Sequence, residues 1–169
     1  MCIRDSYNPL TKENLIKMSN KVTDVTKDIL PDQDLDCVVY GCTSGTIAAG
    51  HETIEQKVKI AKPMAEVSTP STAAIQALKK LDIKKVSIFT PYSKKLNDYV
   101  LDYFTSEGFE LTSNSYFDIQ DDYDIGKVDQ DYLYDVLSKI DLNGADALFV
   151  SCTAPVSYTH LTLPTIYSE

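Results

Sequence analysis

Apolar positions recur at Leu15, Met18, Val22, Val25 and Ile29. This 3-4-3-4 spacing predicts one face of an amphipathic helix, with Thr11 placed to cap its start and Pro31 to stop it. The run Cys37-Val38-Val39-Tyr40 has the pattern of a buried strand. Residues 41–46, Gly-Cys-Thr-Ser-Gly-Thr, form the turn after it, and a second helix follows to about residue 61. Val67 and Ser68 read as a short strand. Thr69-Pro70 then opens a helix, proline sitting near its favoured first position, with Ile75, Leu78 and Leu81 toward a core.

The next stretch repeats the design. Residues 86–89 predict a strand and Thr90-Pro91-Tyr92 the turn beyond it. A helix carrying Leu96, Tyr99, Val100, Tyr103 and Phe104 on one side follows, ended by Gly108. Residues 109–117 predict a strand, 118–124 an acidic loop, 132–140 a helix and 147–150 a final strand. Strands alternating with helices of this length predict an α/β fold with parallel strands and helices on both faces.

Laid on itself with an offset of 110 residues, the chain places Asp36 on Asp146, Val38 on Leu148, Val39 on Phe149, Cys42 on Cys152 and Thr43 on Thr153. We read this as a duplication that divides the chain into two Rossmann-like halves, 7–81 and 82–155, related by a pseudo-twofold axis. On this reading the first half lacks its first strand and the second its last elements. The flanks 1–6 and 156–169 do not continue the pattern. They resemble translated sequencing-adapter sequence, the alternative being a natural β-type tail, so Cys2 and His160 are given no functional weight.

Composition narrows the function. A net charge of −9 argues against nucleic acid and against an anionic membrane surface, both of which need clustered Lys and Arg. No apolar run approaches the ~20 residues of a spanning helix, and no leader is read at the start. The four cysteines have no disulfide framework, which makes free thiols in a cytoplasmic setting the expectation.

In parallel sheets ligands bind beyond the carboxyl ends of the strands, and both Cys-Thr turns fall there. After Cys42, residues Ser44, Gly45 and Thr46 can turn backbone N–H groups toward an anion, and the same field is expected to lower the thiol pKa. A small carboxylate between the two turns would have a thiol on each face. That suits proton removal and return, or thiolate addition to a double bond followed by rotation and elimination, with no metal or organic cofactor. Cys37 is expected to be a buried small hydrophobe, His51 a helix-surface residue and the run 121–124 a solvated loop. Tyr92 can be a packing aromatic or a site residue. A phosphatase-type loop fails because Ala48 stands where arginine is required. A zinc site at Cys37 and Cys42 fails because a strand points them to opposite faces.

Residues 39–46, Val-Tyr-Gly-Cys-Thr-Ser-Gly-Thr, with Thr90-Pro91-Tyr92 and residues 149–153, Phe-Val-Ser-Cys-Thr, resemble the aspartate/glutamate racemase superfamily. The likeness is to its maleate cis-trans isomerase, arylmalonate decarboxylase and ectoine-utilisation branch. The resemblance implies a cofactor-independent isomerase or racemase acting on a small dicarboxylate or amino acid, and a homo-oligomer, dimer or tetramer, when full length. It implies Cys42 as nucleophile, Cys152 in proton transfer, and Thr43, Ser44, Gly45, Thr46, Tyr92 and Thr153 in substrate binding. Decarboxylases of the branch lack the first cysteine, which leaves decarboxylation, or carboxylate binding without catalysis, as the alternative. Two departures stand out: the family's first Asn-bearing strand is not found in the chain, and a second family asparagine falls near Asp121 or Asp122.

Overall fold

The computed structural model describes residues 8–152; Thr153 and both flanking stretches lie outside the described residues. The architecture is α/β, with two parallel sheets. One pairs β1 (Cys37–Val39) with β2 (Glu66–Ser68). The other has the order β4-β3-β5, with β3 (Lys85–Tyr92) between β4 (Glu110–Ile119) and β5 (Ala147–Val150).

The first predicted helix is two. Thr11 does cap α1 (Lys12–Ser19), its hydroxyl accepting from the Asn14 N–H at 3.2 Å. The chain then breaks and restarts as α2 (Val22–Lys27). The break follows from packing: Leu15 enters a central apolar cluster, whereas Val22 joins a separate one with Val38, Ile54 and Val58. The Thr23 hydroxyl, donating to the Lys57 carbonyl at 2.9 Å, pins α2 to that second group. Val25 and Ile29, expected on the buried face, are exposed.

The second predicted helix is also divided. α3 (Thr43–Ala49) ends at Gly50, whose φ of 84° is open to glycine at little cost, and α4 (His51–Ala61) leaves in a new direction. α5 (Pro70–Lys80) starts as expected, capped by Thr69, but Leu81 lies past its end and is exposed. Residues 90–92 are strand rather than turn: β3 continues to Tyr92, and its register against β4 slips between Thr90 and Tyr92. Pro91 has no N–H for the ladder, which accounts for a slip without a break. Cys37 is exposed, a correction to the buried small hydrophobe expected, because only Val38 of β1 faces the packed side.

The remaining helices are α6 (Lys94–Ser106), α7 (Asp122–Ile125) and α8 (Gln130–Ser138). α6 lays Leu96, Val100 and Phe104 on the three-stranded sheet. Phe104 meets Phe149 of β5 with ring centroids 4.6 Å apart. The central cluster also takes Leu15 from α1 and Ile75 from α5, while Val38 of β1 and Val67 of β2 pack in the separate cluster with Val22 and Ile54. Cys42 and Cys152 both pack at the margin of the central cluster.

Candidate active site

Cys42 follows β1 and is the N-cap of α3, in extended conformation with φ −124° and ψ 109°. Its sulfur accepts the Gly45 N–H at 3.2 Å and lies 3.8 Å from the Ser44 hydroxyl. The turn is held from behind, the Thr46 hydroxyl donating to the Cys42 carbonyl at 2.7 Å and the Ser71 hydroxyl to the Thr43 carbonyl at 3.3 Å. Thr43, Ser44, Gly45 and Thr46 are all buried. Gly45 is required sterically: a Cβ there would fall 2.7 Å from the Tyr40 hydroxyl, 2.9 Å from the Cys42 sulfur and 2.9 Å from Met18 Cε. The Gly45 N–H expected to face an anion is thus given to the thiol itself.

Burial pushes the Cys42 thiol above its ordinary range, and the Gly45 N–H, the Ser44 hydroxyl and the Tyr40 hydroxyl pull the other way without cancelling it. The carboxylate of Asp122, at the start of α7, adds to the upward push. This corrects the expectation of a lowered thiol pKa. Helix-start N–H groups do favour the thiolate, but the loss of water around a half-buried sulfur outweighs them.

Cys152 follows β5 and has φ 98°, a left-handed conformation that costs a side-chain-bearing residue about 1–3 kcal/mol. The Ser151 N–H, donating to the Phe89 carbonyl at 2.8 Å, fixes the residue before it. The Ser151 hydroxyl is fully buried and donates to the Tyr92 hydroxyl at 3.4 Å. Tyr92 itself, at the end of β3, is 1% exposed. Burial, then the charge of Cys152, then that of Cys42 hold its phenol well above the ordinary tyrosine range. Tyr92 therefore stands within the electrostatic reach of both thiols and stays protonated, able to donate.

Tyr40 and Ser151 were not singled out from the sequence as site residues; Asp122 was named only as standing near the position of a family asparagine. Tyr40 carried a signal, since it stands two positions before Cys42, the spacing that puts side chains on one face of a strand. Asp122 is placed by the loop after β4, where Asn8 bridges two neighbours: its amide N–H donates to Asp121 at 3.2 Å and its carbonyl accepts the Asp122 N–H at 3.1 Å. Among the described residues, no group of three His, Cys, Asp or Glu is placed to hold a metal ion, and no helix is long and apolar enough to cross a membrane.

Strand-end cysteines flanking a buried tyrosine on a two-sheet parallel scaffold define a class of protein. The arylmalonate decarboxylase family model matches residues 9–161, and the chain belongs to that family. Its relatives include the maleate isomerase of Geobacillus stearothermophilus, 29% identical over 149 residues that make up 84% of this chain and 59% of that protein. The chain thus spans somewhat over half the length of this relative. Among solved structures, the maleate isomerase Iso of Pseudomonas putida S16 superposes with a TM-score of 0.78 at 24% identity, over 90% of this chain and 64% of the other. A cysteine-to-serine mutant of the Nocardia farcinica maleate cis-trans isomerase, which carries a covalently bound succinylcysteine intermediate, superposes with a TM-score of 0.72 at 22% identity, covering 83% and 60% respectively. These likenesses show the same fold.

Proposed function

We propose that the protein is a cofactor-independent isomerase acting on a small unsaturated dicarboxylate such as maleate, with Cys42 and Cys152 as its catalytic residues. The observation that supports this reading is that Cys42 and Cys152 both pack at the margin of the one cluster that buries Tyr92. On this reading a small acid lies between the two sulfurs, with the Tyr92 hydroxyl as the O–H donor for one carboxylate. Thr43, Ser44, Gly45, Thr46 and Thr153 complete the proposed binding turns.

The thiolate of Cys42 attacks one alkene carbon, forming a C–S bond. The π electrons move to the neighbouring carbon, which takes a proton from the Cys152 thiol to give a succinyl thioether. Rotation about what is now a single C–C bond follows. Cys152, as thiolate, then removes a proton, the double bond re-forms in the trans geometry and the C–S bond breaks, its electrons returning to sulfur, which regenerates the Cys42 thiolate and the Cys152 thiol. The sequence is redox-neutral and draws only on proton donors and acceptors in the chain. The succinylcysteine seen in the Nocardia relative supports the adduct.

The test is proton NMR of the 169-residue chain with maleate. Fumarate should form, Cys42→Ala should abolish it, and Cys152→Ala should slow turnover while a succinyl adduct builds up on Cys42. Fumarate formation that survives both substitutions overturns the assignment.

A second reading, α-proton transfer on an amino acid between the same two thiols, is favoured by Asp122. Its carboxylate acts on Cys42 and would attract an ammonium group more readily than a second carboxylate. Exchange of the α-proton of aspartate or glutamate in deuterated water, lost in either cysteine variant, supports this reading over the first.

A further inference from the structure

Tyr40 stands outside the reaction as described above, yet its hydroxyl is placed against the nucleophile. The oxygen is buried and, among the described residues, makes no hydrogen bond of good geometry. A buried hydroxyl without a partner is costly, about 1–3 kcal/mol, and calls for an explanation. Gly45 supplies one. A single point, where a side chain at Gly45 would begin, lies 2.7 Å from the Tyr40 oxygen and 2.9 Å from the Cys42 sulfur. The absence of a side chain at Gly45 therefore leaves hydroxyl and thiol bordering one small space. A neutral thiol is a weak acceptor, so the hydroxyl gains little from it at rest; a thiolate is a strong one.

We propose that Tyr40 is the positioning residue for the Cys42 thiolate, its O–H turning onto the sulfur when the thiol ionises, so that the anion is held between the Tyr40 hydroxyl and the Gly45 N–H. The proton stays on tyrosine, whose phenol is raised by burial first and by Cys42 second. The position equivalent to Tyr40, 110 residues on, is Val150. This inference rests on Cys42 as the nucleophile of the proposed reaction.

The experiment reads the thiol directly. The rate of iodoacetamide alkylation at Cys42 is followed against pH, with each cysteine-bearing peptide quantified separately by mass spectrometry. Tyr40→Phe should raise the apparent Cys42 pKa by about one unit, a roughly tenfold fall in alkylation rate near neutrality. The Cys152 profile should be unchanged. An unchanged or lowered Cys42 pKa in the folded variant overturns the proposal. Should Tyr40→Phe fail to fold, incorporation of fluorinated tyrosine, whose more acidic phenol is a better donor, decides instead. The Cys42 pKa must then fall, and a value that stays or rises is contrary to the proposal. Because no substrate is involved, a chain that shows the Tyr40 effect but makes no fumarate refutes the isomerase reading alone.

Discussion

At the scale of single residues, the site is organised by what Gly45 lacks. A Cβ there meets a phenol oxygen and a sulfur, both fixed by short stretches of backbone, and only the Met18 methyl can yield cheaply. Gly45→Ala is therefore expected to destabilise the fold by about 1–3 kcal/mol, the usual cost of overpacking, read as a lower urea midpoint. It should also change the alkylation profile of Cys42, since relief of the overlap moves either Tyr40 or the sulfur. The cost would come from geometry alone, because Gly45 sits in helical conformation and alanine is otherwise the better helix former. A midpoint equal to or above that of the parent protein would show that the turn has slack. Cys152 stores strain differently, in a backbone φ of 98°. The two cysteines that the repeat aligns are therefore alike in position and unlike in backbone conformation, one extended and one left-handed.

At the scale of elements, one buried lysine does more than its neighbours. Lys62 caps the end of α4 and sends its ammonium to the Leu30 carbonyl at 2.9 Å and the Gln33 carbonyl at 2.7 Å. Those carbonyls belong to the connection between α2 and β1, which has only short turns of its own. Lys62→Met keeps the aliphatic stem and removes both charge-assisted bonds, so a loss of about 1–3 kcal/mol in urea unfolding is expected. Hydrogen exchange in residues 28–36 should rise with it, and unchanged protection there would show that the loop holds itself. No sequence pattern announces this lysine, and the same gap explains the other corrections. Short apolar runs and the helical 3-4 spacing were enough to place all five strands and most of the helices, because those signals are local. The break between α1 and α2 was not legible, since it arises from Leu15 and Val22 entering different clusters. The continuation of β3 through Pro91 depends on β4 tolerating a slipped register. The exposure of Cys37 reflects a sheet covered on one side of β1, which a three-residue apolar run cannot report. The placement of Cys42, Tyr92 and Cys152 at strand ends was legible, because strand and turn boundaries are punctuated by Gly, Thr and Pro. Tyr40 was missed because it matters only through proximity to Cys42 in space.

At the scale of the whole molecule, these local arrangements combine into a dependence on pH. The central cluster buries Tyr92 and has Cys42 at its margin, so ionising either opposes the packing there. Cys42 and Tyr92 both have pKa values raised in the folded state, with burial as the leading cause. A group raised on folding gives its stabilisation in full below its unfolded value and loses it as pH climbs through the folded value. The relevant window therefore opens at the ordinary thiol value of about 8.5 and extends past the ordinary tyrosine value of about 10. On the acid side Asp146 has the opposite sign. The Lys85 and Lys84 N–H groups that it accepts hold its carboxyl below the usual range, so its contribution is present at neutral pH and fades as the solution is acidified. It is fully exposed and its share is small. Urea unfolding at a series of pH values should therefore show stability that is flat near neutrality and declines steadily above about pH 8.5. Cys42→Ala should make the first part of that decline shallower and leave the later, tyrosine-dependent part in place. A profile that stays flat or rises through this window would mean that water reaches the Tyr92 hydroxyl and the Cys42 sulfur freely. The central cluster would then not be the dry medium on which the behaviour of Cys42 and Tyr92 depends.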